Sequence, residues 1–94
     1  MNAISNFNEF DALLAGARAR MNRLVLDNPG DAFLNSIVRQ LGFVFDWTRN
    51  GKRPSDEQLK KLSFGVMASR AVDELDPELA ALLYQLAGYL DNWK

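Results

Sequence analysis

The sequence predicts an all-α fold, a compact bundle of four antiparallel helices, from three observations. Apolar residues recur at spacings of three and four along four separate segments. Each segment begins at a side chain able to cap a helix. Strand-like alternation never persists for more than a few residues. The connections are short, which favours antiparallel neighbours.

The first segment opens at Asn6, with Glu9 at the third helical position, a variant of the capping box. Phe7, Phe10, Leu14, Ala17, Met21 and Leu24 then form one apolar stripe. Arg18, Arg20 and Arg23 fall mostly off it, as a solvated face open to pairing with acids of another helix. Asp27-Asn28-Pro29-Gly30 ends the segment in a turn. The second helix begins near Asn28 or Asp31 and carries Phe33, Leu34, Ile37, Val38, Leu41, Val44, Phe45 and Thr48 on a wide face. Phe43 and Trp47 lie partly outside that face, which predicts contacts from two sides. Asn50-Gly51 supplies a left-handed stop.

Ser55 and Gln58 make a capping box for the third helix, and Asp56 and Glu57 suit the positive end of its dipole. Leu59, Leu62, Phe64, Val66 and Met67 give its buried side. Gly65, in mid-helix, costs about 1 kcal/mol relative to Ala and predicts a close helix crossing. The last start is Asp76-Pro77-Glu78: a capping carboxylate, a proline at the first helical position, then an acid. Leu79, Leu82, Leu83, Leu86, Leu90 and Trp93 complete its stripe. The expected helices cover about 6–26, 30–49, 55–73 and 77–92.

Composition narrows the function. The 94 residues suit one domain, 1–94, and 48% hydrophobic content gives it a core without metal or disulfide. Eleven basic residues against twelve acidic ones leave a net charge of −1, so no basic footprint for nucleic acid is visible. With neither His nor Cys, the usual triads, thiolate nucleophiles and most zinc sites are excluded. The six glycines are scattered and form no phosphate loop. The chain is therefore expected not to be an enzyme and to carry no cofactor and no metal. The stretch from Met1 to Glu9 lacks the pattern of a signal peptide, and no apolar run approaches the roughly eighteen residues of a membrane span. A cytoplasmic location and no membrane partner are expected.

Two groups stand out as candidate partner-binding residues. Asp73, Glu74, Asp76 and Glu78 form the densest acidic cluster. Cap chemistry and solvation of a helix end account for it; docking of a basic partner surface is the alternative. Asp46, Trp47 and Arg49 form the second group, with an aromatic of the kind that anchors interfaces. Tyr84, Tyr89 and Trp93, at the edges of stripes, are compatible with either core packing or a contact surface.

Leu62-Ser63-Phe64-Gly65-Val66-Met67-Ala68, followed by Asp73-Glu74-Leu75-Asp76-Pro77-Glu78-Leu79, resembles a known family. The chain is similar to the small helical immunity proteins that neutralise NAD(P)+-glycohydrolase toxins delivered by type VI secretion. The likeness extends over nearly the whole chain, and its most specific part is Leu-x-x-Gly about a helix length before Asp-Pro-Glu-Leu. The resemblance implies a cytoplasmic antitoxin that binds its cognate toxin protein and blocks the active site. Such inhibition requires no catalytic residues, in keeping with the composition. A homodimer of the free protein is compatible with the same pattern. The alternative from another class is a helical dimerisation or adaptor module in a bacterial regulatory complex. A neighbouring gene for a secreted toxin or for a regulator separates the two.

Overall fold

A computed structural model describes residues 4–93. The segment Met1–Ala3, part of the stretch read for a targeting signal, lies outside the described residues. The element order is α1 (Phe7–Asp27), α2 (Ala32–Trp47), a single 3-10 turn (Arg49–Gly51), α3 (Asp56–Leu59), α4 (Phe64–Ala71) and α5 (Pro77–Asp91). The described residues are helical with no strand.

Every capping signal is used. Asn6 accepts the Glu9 N–H at 2.9 Å, and Asp31 accepts the Leu34 N–H at 3.0 Å. Ser55 and Gln58 form both bonds of the capping box. Asp76 accepts the Leu79 N–H at 3.1 Å, with Pro77 opening α5. Each bond satisfies a donor that the first turn would otherwise leave unpaired. Asn50 and Gly51 both adopt positive φ, 66° and 74°, and turn the chain after α2.

One expected helix is divided. The span 55–73 holds the one-turn α3 and the eight-residue α4, separated by residues 60–63. After α3 the bonds tighten to three-residue spacing, Lys61 N–H to Gln58 and Leu62 N–H to Leu59. The next donor, Ser63 N–H, leaves its own segment for the Gln40 side chain at 2.6 Å. A tertiary bond thus replaces the helical one, and the axis breaks there.

α1 packs on α2 and α5, and α4 packs on the same two helices, closing a ring around one core. Phe10, Leu14, Ala17 and Met21 enter it from α1, and Leu34, Ile37, Leu41 and Val44 from α2. Phe64, Ala68 and Val72 meet Leu79, Leu83, Leu86 and Leu90 across the α4–α5 seam. A Cβ built on Gly65 would stand 3.1 Å from the Ala87 Cβ, so the expected close crossing is present. Phe10 stacks on Tyr89 at 5.0 Å and meets Trp93 edge-on at 5.8 Å, tying the start of α1 to the end of α5. Tyr89 is buried and Trp93 packs against the core, whereas Tyr84 remains 41% exposed.

Candidate functional site

The acidic group occupies the corner between α4 and α5. Val72, fully buried, is its pivot: its carbonyl accepts the N–H groups of Leu75 at 3.0 Å and Asp76 at 2.8 Å. With the pivot inside, Asp73, Glu74 and Leu75 project outward, and Leu75 is 50% exposed. Glu78 is exposed in the first turn of α5. The corner therefore presents three outward carboxylates around an aliphatic side chain.

Asp76 has a different position. Its carboxylate is only partly exposed, caps α5 and receives the Arg20 guanidinium of α1 at 2.7 Å. Burial pushes its pKa up. The Leu79 N–H, the Arg20 hydrogen bond and charge, and the Glu78 N–H together outweigh that effect and hold it below the usual carboxylate value. One of the three arginines of α1 thus pairs with an acid of another helix, and the pair fixes the corner to the body of the fold.

The second group, at the end of α2, divides between two flanks. Trp47 is half-buried and stacks on Phe43, one turn back, with centroids 5.7 Å apart and planes at 17°. Arg49 lies over the Phe45 ring at 5.5 Å, and Arg18 of α1 lies over that ring at 4.6 Å. Asp46 is exposed. Among the described residues, no hydrogen bond, ion pair or ring contact joins this group to the acidic corner. Two exposed apolar residues belong to these surfaces and escape a sequence reading of charges: Phe43 (44%) and Leu75. The signal for Phe43 was its spacing of four from Trp47 outside the main stripe. Leu75 sits in a turn with no helical face to classify it.

An open cavity of about 180 Å³ lies where α3 and α4 approach α5, lined in part by Leu59, Leu62, Val66, Ala87 and Asp91. Among the described residues, no group of three or more acids is placed to hold a metal ion. No described helix is long and apolar enough to cross a membrane. The two surfaces offer exposed charge and exposed apolar area side by side.

No curated protein and no solved structure matches the chain. A family model described as Tsi6 matches residues 5–92, nearly the whole length. The divided helix and the α4–α5 corner, with the two motifs they carry, fall inside that match. The chain belongs to the Tsi6 family, a type VI secretion immunity family.

Proposed function

We propose that this immunity protein acts by direct occlusion: it binds its cognate toxin protein, an NAD(P)+ glycohydrolase, and blocks the active site. The observation that carries the reading is the family match over residues 5–92. In this reading the chain performs no chemistry itself and works in the cytoplasm. The acidic corner is the proposed docking surface, with Asp73, Glu74 and Glu78 as its free charges and Leu75 as an apolar contact. Asp76 holds the corner in place through Arg20. Asp46, Trp47 and Arg49 are the second proposed contact group. A toxin that binds an anionic dinucleotide needs basic residues at its mouth, and opposite potentials favour fast encounter with an acidic surface. A specific complex should bury about 1,200–2,000 Å² in total.

Co-expression with the cognate toxin tests this. Cells should survive with their NAD+ pool preserved, and the two proteins should co-purify as a stoichiometric complex. Protection without a detectable complex defeats occlusion. Protection with an intact complex but no effect on NAD+ defeats the assignment of the toxin's activity.

A further inference from the structure

The outward face of α2 is self-complementary. Arg39, Gly42, Phe43 and Asp46 fall at positions i, i+3, i+4 and i+7, one continuous patch on one side of the helix. Arg39 and Asp46 are exposed, and neither has an ion pair among the described residues. Phe43 is 44% exposed, and its stack on Trp47 holds the ring as a fixed projection. Beside it, nothing lies within 4 Å of the place a Cβ would take on Gly42, so the helix surface there is a notch.

This set reads the same in both directions about the midpoint between Gly42 and Phe43, with charge inverted at its ends and size inverted at its centre. Two copies of α2 laid antiparallel about a two-fold axis through that midpoint bring every feature to its complement. We propose that the α2 face closes on a second copy of this chain, with Arg39 against the partner's Asp46 and Phe43 seated over the partner's Gly42. Each contact occurs twice, as a two-fold interface requires. The aromatic fills the notch as a knob fills a hole between packed helices. Because Asp46 also belongs to the second proposed toxin-contact group, this dimer is a state of the toxin-free protein, and the inference does not depend on toxin inhibition.

A contact made by one helix pair falls below the roughly 1,200 Å² of standard interfaces, so the dimer is weak and concentration-dependent. Sedimentation equilibrium of the full chain, without toxin, tests it. The wild type should pass from monomer to dimer as concentration rises toward about 1 mM. Arg39→Asp and Asp46→Arg should each weaken self-association at least about tenfold, because like charges then face each other across the axis. An equimolar mixture of the two should recover association, since each variant supplies the charge the other lacks, and so should the double variant R39D/D46R. Phe43→Ala should weaken association without a charge change. Circular dichroism should show unchanged helix content in all four variants. A wild type that stays monomeric over this range overturns the proposal, as do single reversals without effect or a mixture no better than its components.

Discussion

The Gln40 side chain accepts the backbone N–H of Ser63 at 2.6 Å and donates its amide to the Ser63 hydroxyl at 3.2 Å. The same amide nitrogen lies 3.2 Å from the Ser36 hydroxyl and 3.4 Å from the Met67 sulfur. Gln40 is only 8% exposed, so this network is the means by which its polar atoms tolerate burial. It also fixes the point at which α3 and α4 separate, and hence the direction in which α4 leads to the acidic corner.

Replacing Gln40 with Ala should lower stability by about 0.5–1.5 kcal/mol, the usual net value of such a bond. The sharper readout is local. Hydrogen exchange at the Ser63 amide should accelerate in the variant by more than the global loss of stability explains. Unchanged protection at that amide would show that the break between α3 and α4 has another origin.

Asp76→Ala removes a helix cap and should cost about 0.5–2 kcal/mol. Asp76→Asn keeps a competent cap and removes the charge opposite Arg20, a partly exposed pair worth at most about 1 kcal/mol. Because the native carboxyl sits below its ordinary value of 3.8, its stabilising effect is complete above that pH and disappears as pH falls through the native pKa. Urea midpoints of wild type and Asp76→Asn should therefore differ at neutral pH and converge in acid. A gap that persists below the native pKa would contradict this linkage.

Gly65 and Gly16 should respond oppositely to an added side chain. At Gly65 a Cβ would crowd Ala87 at 3.1 Å, and Gly65→Val should destabilise by about 1–3 kcal/mol through overpacking. At Gly16, exposed within α1, a Cβ meets nothing within 4 Å, and Gly16→Ala should stabilise by up to about 1 kcal/mol. Thermal melts of both variants decide the matter. Equal effects at the two sites would deny the close α4–α5 crossing.

Replacing Asp73 and Glu74 together with Lys should slow association with the toxin and flatten its salt dependence, because the charges act through a screened field. Both side chains point away from the core, so helix content should be unchanged. Stopped-flow association at several ionic strengths is the measurement. Rates identical to wild type would leave these carboxylates as solvation of a helix end.

The sequence by itself determined where α1, α2, α3 and α5 begin and most of the residues that face inward. Asn6, Asp31, Ser55 and Asp76 cap the helices as their side chains require, because capping acts over three residues and needs no distant partner. Most of the apolar stripes became the core for the same local reason: periodicity defines a face. Phe33 and Val66, expected on those faces, are 47% and 65% exposed because no neighbouring helix covers them. What covers a face is a property of neighbours, and only the tertiary structure decided it. Tyr89 was buried and Trp93 half-buried against Phe7 and Phe10 of α1, while Phe43, on an apolar margin of α2, was left open. The division of the third helix belongs to the same class. Nothing near Ser63 in the sequence competes for its N–H; the competitor is Gln40, twenty-three residues earlier, which folding brings within hydrogen-bonding distance.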